Sequence, residues 1–114
     1  MDKQYDNCPV SYALSMLNGK WKLPIIWNLT QQESIRFNEL QRSLNGISNI
    51  MLSKSLQELE NDKIVSRMQY NSIPPRVEYS LTDLGHSLQP VLMMLGEWGD
   101  MVKKEHCEIG RAHV

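Results

Sequence analysis

Residues 76–85 read RVEYSLTDLG and follow two consecutive prolines at positions 74 and 75. Over the first six of these residues, apolar side chains alternate with polar ones, which is the two-residue period of a strand with one buried face. Thr82 then ends the strand and is a suitable N-cap for a helix, and Asp83 lies where the helix dipole favours an acid. The stretch therefore predicts a strand that leads directly into a long apolar helix.

The spacing of apolar residues on either side of this stretch predicts the remaining elements. Helices are predicted over residues 9–17, 22–29, 37–44 and about 48–62, and strands over 35–37, 64–70 and 76–81. The last helix is predicted to begin after Thr82 and to kink at Pro90. Its apolar stripe consists of Leu84, Leu88, Val91, Leu92, Leu95, Trp98 and Val102. Periodicity is lost after residue 104, so we expect one domain over 1–104 and a flexible tail over 105–114.

Composition is that of an ordinary globular protein. The chain has 114 residues, of which 41% are hydrophobic and 22% charged. No apolar run is long enough for a membrane span, and the first residues carry no apolar export signal. Two cysteines are too few for a disulfide-stapled secreted scaffold, so we expect a cytoplasmic protein with no membrane partner.

The charge distribution is more informative than the net charge of −1. Residues 36–76 contain six basic and four acidic side chains, whereas residues 77–114 contain three basic and six acidic ones. Residues 36–76 thus carry a small excess of positive charge, which favours an anionic partner.

The segment 37–62 is predicted to form a helix, a turn at Asn45-Gly46-Ile47 and a second helix. In a helix-turn-helix, the second helix enters the DNA major groove while the first crosses the backbone. Steps of 100° from the buried leucines place polar groups suited to base edges and phosphates on the outer face, together with one apolar side chain. The second helix contributes Ser48, Asn49, Ile50, Ser53, Lys54 and Gln57, and the following hairpin contributes Arg67, Asn71 and Arg76. A solvated helix face with no ligand is the alternative interpretation of these polar residues.

Several motifs together resemble the HxlR-type branch of the MarR-like winged-helix transcription regulators. They are Cys8-Pro9, Gly19-Lys20-Trp21, Arg36-Phe37-Asn38-Glu39-Leu40, Ile47-Ser48, Met51-Leu52-Ser53, residues 56–60, Tyr70 with residues 74–79, residues 81–85, and Glu97-Trp98-Gly99. The resemblance implies an α+β, mostly α fold: a winged helix-turn-helix with flanking N-terminal and C-terminal dimerisation helices. It adds Arg36 to the candidate DNA-binding residues. One departure concerns Ile50, because members of this family commonly have a basic residue there.

The resemblance also implies a sequence-specific, homodimeric repressor or activator. A symmetric dimer in turn implies double-stranded DNA with a palindromic operator as its partner. The long apolar stripe supports dimerisation independently, since it exceeds what one small core needs. The predicted dimer interface consists of Leu88, Val91, Leu92, Leu95, Trp98 and Val102.

The two cysteines allow a redox interpretation. Cys8 precedes Pro9 at the predicted start of a helix, where backbone N–H groups favour the reactive thiolate. Some HxlR-like regulators sense oxidants or electrophiles through an N-terminal cysteine, so the resemblance implies such a role for Cys8. Cys107 lies just past the predicted dimer helix, which leaves open an intersubunit Cys8–Cys107 disulfide. In the alternative interpretation, Cys8 packs as a small apolar residue and Cys107 is incidental.

No other chemistry is indicated. His86, His106 and His113 lack the paired spacing of a metal site, and neither a phosphate loop nor a nucleophile motif is present. We therefore predict no cofactor, no metal and no enzymatic activity. A small-molecule inducer pocket between the dimer helix and the N-terminal helices stays open. The alternative function is a winged-helix module that binds another protein and not DNA.

Overall fold

The computed structural model describes the backbone of residues 8–113 and the side chains of residues 8–107. Helices and strands alternate in an α+β order dominated by helices, and their bounds follow the predicted ones closely. The elements are α1 (Pro9–Leu17), α2 (Lys22–Leu29), β1 (Ile35–Arg36), α3 (Phe37–Ser43), α4 (Asn49–Asn61), β2 (Val65–Tyr70), β3 (Arg76–Leu81), α5 (Asp83–His86) and α6 (Gln89–His113).

Side-chain caps and one glycine define the helix-turn-helix. The backbone between α3 and α4 passes through Gly46 at φ +91°, a conformation that costs glycine little. Ser48 then caps α4, because its hydroxyl oxygen accepts a hydrogen bond from the Met51 N–H at 3.1 Å. The serine at this position thus fixes where the helix begins, as the sequence predicts.

The three strands form an antiparallel sheet in the order β1-β3-β2. β2 and β3 form a hairpin in which Val65 pairs with Leu81 and Tyr70 with Arg76. The two-residue strand β1 lies on the other side of β3, where Arg36 pairs with Glu78. This pairing brings the start of α3 next to the hairpin.

The core lies between the helix-turn-helix, α2 and the inner face of the sheet. Its fully buried side chains, which share an apolar character, are Ile25, Ile26, Leu29, Leu40, Leu52, Leu56, Leu59 and Val65. The predicted stripe Leu52, Leu56 and Leu59 is therefore the buried face of α4. Burial on this scale, at about 1.5–3 kcal/mol for each large aliphatic side chain, fixes the rotation of α4 about its own axis.

Thr82 connects the end of the sheet to the end of α4. Its hydroxyl donates to the Lys63 carbonyl oxygen at 2.6 Å and accepts from the Gly85 N–H at 3.1 Å. Gly85 lies so close to the Ile64 carbonyl oxygen that a Cβ at this position would overlap it. The LTDLG sequence is thus a tight packing motif as well as a helix start.

The C-terminal region differs from the prediction of a single helix kinked at Pro90. The short helix α5 ends at His86, and α6 begins only at Gln89. Proline cannot donate to a carbonyl four residues earlier, but it fits the first turn of a helix, so the chain breaks before Pro90 and restarts around it. The backbone of residues 105–113 continues α6, since helical hydrogen bonds do not depend on the apolar period that is lost there. None of the helices in the described part of the chain is both long and apolar enough to span a bilayer.

Candidate nucleic-acid interface

The outer face of α4 is entirely exposed, opposite its buried leucines. All six candidate residues of this helix and its cap lie on that face: Ser48, Asn49, Ile50, Ser53, Lys54 and Gln57. Ile50 is 83% exposed, which is unusual for an aliphatic side chain and leaves it available for contact with a thymine methyl group. The Ser48 oxygen is engaged in the cap, so this residue has a structural role whatever else it contacts.

Arg76 is held in place at the base of the hairpin loop. Its guanidinium carbon lies 4.1 Å from the centre of the Tyr70 ring, and its Nε donates to the Glu78 carboxylate at 3.1 Å. A planar guanidinium that is stacked on one side and hydrogen-bonded on another has few rotamers left. Arg67 and Asn71, also on the hairpin, are exposed.

Glu78 connects three elements. One carboxylate oxygen accepts from the Ser34 hydroxyl at 2.9 Å, while the other bonds Arg76 and lies 3.9 Å from the Arg36 Nε. These contacts lower the pKa of Glu78, with the Ser34 hydrogen bond as the largest cause and the Arg76 hydrogen bond next among those that lower it. The carboxylate is thus ionised; it hydrogen-bonds Arg76 and lies close enough to Arg36 to attract its guanidinium, and both arginines are predicted to bind DNA.

An open cleft of about 730 Å³ lies between the start of α3 and the hairpin loop. Three arginines line it, namely Arg36, Arg42 and Arg76, against a single acid, Glu39. Its lining also includes Asn38 and Ser72, both able to donate hydrogen bonds. Three guanidiniums around a concave surface favour an anion such as a phosphate.

A second, smaller cleft of about 260 Å³ lies beside α4, against the turn between α1 and α2. Lys20 and Lys54 line it, and the Lys20 ammonium lies 4.9 Å from the centre of the Trp21 ring. Lys22 is buried there and bonds Glu58 of α4 at 2.8 Å, an interaction that lowers the pKa of Glu58. Lys20 was not among the predicted DNA-binding residues. The signal for it was the Gly19-Lys20-Trp21 motif, in which Lys20 is the cation.

The interface residues predicted on α6 divide into two groups. Val91, Leu95 and Trp98 are exposed, and Trp98 exposes 61% of its surface. Leu92, in contrast, is 8% exposed and belongs to the core of its own chain, and Leu88 packs against that core. The backbone N–H of Leu92 donates to the Leu88 carbonyl oxygen at 2.9 Å, so Leu88 immediately precedes α6 and Leu92 lies in its first turn, both next to the core. Val102 is partly exposed, and Met94 and Met101 extend the exposed apolar face although they were not predicted.

A shallow groove of about 350 Å³ separates α2 from α6. Leu23, Pro24 and Trp27 line one side, and Met93 and Leu95 line the other. The groove lies between the C-terminal helix and an N-terminal helix, which is the position considered in the sequence analysis for a small-molecule inducer. Its lining is apolar and identifies no ligand.

Cys8 occupies the N-cap of α1, as predicted. Its sulfur accepts from the Ser11 N–H at 3.5 Å and is partly buried. Hydrogen bonds from the Ser11 side chain, and next from its backbone, lower the pKa of the Cys8 thiol. Cys107 lies on the exposed surface of α6. The N-cap hydrogen bonds therefore favour the thiolate form of Cys8.

A helix-turn-helix followed by a β-hairpin, on a mostly helical domain, defines the winged helix-turn-helix class of regulators. Comparisons with known proteins are consistent with that class. The family model described as HxlR-like helix-turn-helix matches residues 16–107. An HTH-type transcriptional regulator of Halalkalibacterium halodurans is 46% identical over 97 residues, which cover 85% of this chain and 86% of that protein.

Two solved structures are also similar. A MarR-family transcriptional regulator from Enterococcus faecalis V583 has a TM-score of 0.77 and 40% identity, covering 95% of this chain and 94% of its own. The redox regulator HypR in its reduced form has a TM-score of 0.79 and 40% identity, covering 83% and 93%. The chain belongs to the HxlR-like family of helix-turn-helix transcriptional regulators. Regulators of this family bind DNA and typically act as dimers.

Proposed function

We propose that this protein is a homodimeric, sequence-specific DNA-binding regulator that reads a palindromic operator. In this proposal α4 enters the major groove and the β2–β3 hairpin, or wing, reaches the neighbouring backbone and minor groove. The observation that carries it is the outer face of α4: every candidate contact residue is exposed, while the opposite leucines are fully buried. The buried leucines fix α4 to the rest of the domain, and the opposite face is free to enter the DNA major groove.

The types of side chain support DNA as the ligand of this face. Asn49 and Gln57 are amides, the side chains that pair with adenine edges, and Ile50 suits a thymine methyl group. Lys54 on α4, Arg76 on the hairpin and Arg36 at the start of α3 supply cations for phosphates. Phosphate contacts would position the protein while α4 distinguishes sequences.

Dimerisation is supported by the apolar surface of α1 and α6. Val10 and Leu14 on α1, and Met94, Trp98 and Met101 on α6, all expose about half or more of their surface. Monomeric proteins rarely expose so many large apolar side chains, and such exposure indicates an interaction surface. A two-fold axis through this surface would present two copies of α4, hence two operator half-sites.

The operator is tested by selecting bound duplexes from a randomised DNA pool. We expect an enriched inverted repeat whose half-sites are separated by a whole number of helical turns. Enrichment of a single, non-repeated site would contradict the dimeric part of the proposal, and the absence of enrichment would contradict sequence-specific reading.

The alternative, a winged helix that binds a protein, makes a different prediction about salt. Neutralised phosphates release counterions, so DNA affinity falls steeply as salt rises. A protein partner bound through the polar face of α4 would show no comparable dependence and would not be displaced by duplex DNA. The basic clefts favour DNA.

We further propose that Cys8 senses oxidants or electrophiles. Support comes from its lowered pKa, its N-cap position and the similarity of the chain to the redox regulator HypR. Operator binding is measured with and without diamide for the wild type, Cys8→Ser and Cys107→Ser. We expect diamide to change binding of the wild type and to leave Cys8→Ser unaffected; an equal response of the two proteins would refute the proposal.

An intersubunit disulfide between Cys8 and Cys107 of the partner subunit is the proposed oxidised product. Diamide takes two electrons and two protons from the two thiols as the S–S bond forms. Non-reducing electrophoresis should then show a covalent dimer that either single Cys→Ser variant abolishes. A covalent dimer that persists in Cys107→Ser would instead indicate a Cys8–Cys8 bridge.

A further inference from the structure

Glu78 is an acid on a surface otherwise suited to an anionic ligand. Its side chain is only 18% exposed, and its carboxylate oxygens face Ser34, Arg36 and Arg76. It does not line the cleft of about 730 Å³, whereas both of its arginine partners do. The carboxylate therefore lies behind the arginines, and the arginines face the cleft.

The register of the sheet explains this arrangement. Glu78 is directly opposite Arg36 on β1, and Arg76 is two residues before Glu78 on the same strand and the same face. The Ser34 hydroxyl, 44 residues away in sequence, fixes the second carboxylate oxygen. With both oxygens engaged, the carboxylate has little freedom to rotate and becomes a rigid acceptor between the wing and the start of α3.

Such an acceptor reduces the conformational entropy that the arginine side chains lose when they bind a phosphate. An unrestrained arginine gives up much of its rotamer freedom when it contacts a phosphate, which weakens binding by about two- to tenfold for each immobilised side chain. Arg76 is already fixed between the Tyr70 ring and Glu78, so this loss precedes binding. A fixed guanidinium also binds the phosphates of one DNA backbone geometry well and those of other geometries poorly. A mobile guanidinium can adjust to any phosphate position.

We propose that Glu78 is a positioning residue of the DNA-binding surface, which raises discrimination between operator and other DNA by holding Arg76, and attracting Arg36, at a backbone-phosphate site in the cleft. The inference rests on the proposed function. It assigns the cleft to the sugar–phosphate backbone at the wing, where groove width depends on sequence. It also predicts that removing a negative charge from this surface weakens operator binding, contrary to simple electrostatics.

Glu39 provides a matched control for that charge. It lines the same cleft and is exposed, but its carboxylate accepts only from the Arg36 backbone N–H at 3.3 Å. Glutamine preserves this type of helix-start hydrogen bond. Glu39→Gln thus removes one negative charge from the cleft without releasing a guanidinium.

The experiment measures affinity for the selected operator and for a scrambled duplex of equal length. For Glu78→Gln we expect operator affinity to fall about three- to tenfold, with affinity for the scrambled duplex unchanged or higher. For Glu39→Gln we expect affinity for both duplexes to rise, because an acid no longer faces the phosphate and no guanidinium is released. A Glu78→Gln protein with the wild-type ratio of affinities, or one that behaves like Glu39→Gln, would overturn the proposal.

A double variant separates positioning from general destabilisation. In an Arg36→Ala, Arg76→Ala background, Glu78→Gln should change operator affinity by less than about twofold, because nothing remains to be positioned. An equal loss in both backgrounds would show a merely structural role and refute the proposal. Failure of the proposed function is distinguishable, since the wild type itself would then show no preference for any duplex.

Discussion

Helices α4 and α6 are both amphipathic, but they leave opposite faces exposed. In α4 the leucine face is buried in its own chain, and the exposed face carries amides, hydroxyls and Lys54. Among the side chains of α6 that the structure describes, Leu92 alone is buried, and the exposed face carries Val91, Trp98 and other large apolar side chains. An exposed polar face needs no partner to be stable in water, whereas an exposed apolar face does.

This difference indicates which contacts define the protomer and which define its assembly. Residues of α4 stabilise the fold with one face and are free to bind with the other. On α6, the large apolar side chains of Met94, Trp98 and Met101 are mostly exposed, so burying them requires a partner surface. Substitutions on the two helices should therefore separate protomer stability, association and DNA binding.

The largest expected effect is on the buried face of α4. Leu52→Ala removes a fully buried side chain and should lower the free energy of unfolding by about 2–5 kcal/mol. Urea denaturation of the variant gives this value. Ile50→Ala, on the exposed face of the same helix, is the control and should change stability by less than about 0.5 kcal/mol. Similar losses in both variants would contradict the assigned rotation of α4.

The next effect is on the exposed face of α6. Trp98→Ala should weaken dimerisation by about 2 kcal/mol or more, roughly 30-fold, because each subunit loses an aromatic side chain that the proposed dimer would bury. Sedimentation equilibrium measures the dissociation constant. Lys103→Ala, also exposed on α6, should leave it nearly unchanged. A Trp98→Ala dimer of wild-type affinity would place the interface elsewhere.

A smaller effect, dependent on pH, is expected where α4 meets α2. The Lys22 contact lowers the pKa of Glu58 in the folded protein, so its carboxylate favours folding above the pKa of the unfolded chain, about 4.3. This contribution is lost as pH falls through the folded pKa. Glu58→Gln should therefore be less stable than the wild type at pH 7, and the difference should shrink below about pH 4. A pH-independent difference in urea midpoints would contradict the pairing.

The smallest effect concerns Lys63, two residues after the end of α4. Lys63 has φ 65°, a left-handed conformation that is unfavourable for residues other than glycine. Lys63→Gly should stabilise the protein by about 0.5–1 kcal/mol. Asp62→Gly, one residue earlier with φ −84°, should instead destabilise it. Thermal unfolding of the two variants measures both changes in stability. If both variants were stabilised, or both destabilised, the φ angles assigned to residues 62 and 63 would be wrong.

Local patterns predicted much of this molecule. Helical periodicity identified the buried face of α4, and the Thr82 cap identified the end of β3, because both depend on neighbours within a few residues. The cluster of Ser34, Arg36 and Glu78 was not predicted, since it depends on pairing between strands that are 44 residues apart. The burial of Leu92 was not predicted for a similar reason, because it depends on how the start of α6 packs against the core.

The central claim, that the outer face of α4 binds operator DNA, is tested most directly by the salt dependence of binding. Affinity of the wild type and Lys54→Ala for the selected duplex is measured over a series of salt concentrations. We predict that log affinity falls linearly with log salt, and that Lys54→Ala reduces the magnitude of the slope by about one, as one lost phosphate contact requires. Identical slopes and affinities for the two proteins would contradict the claim.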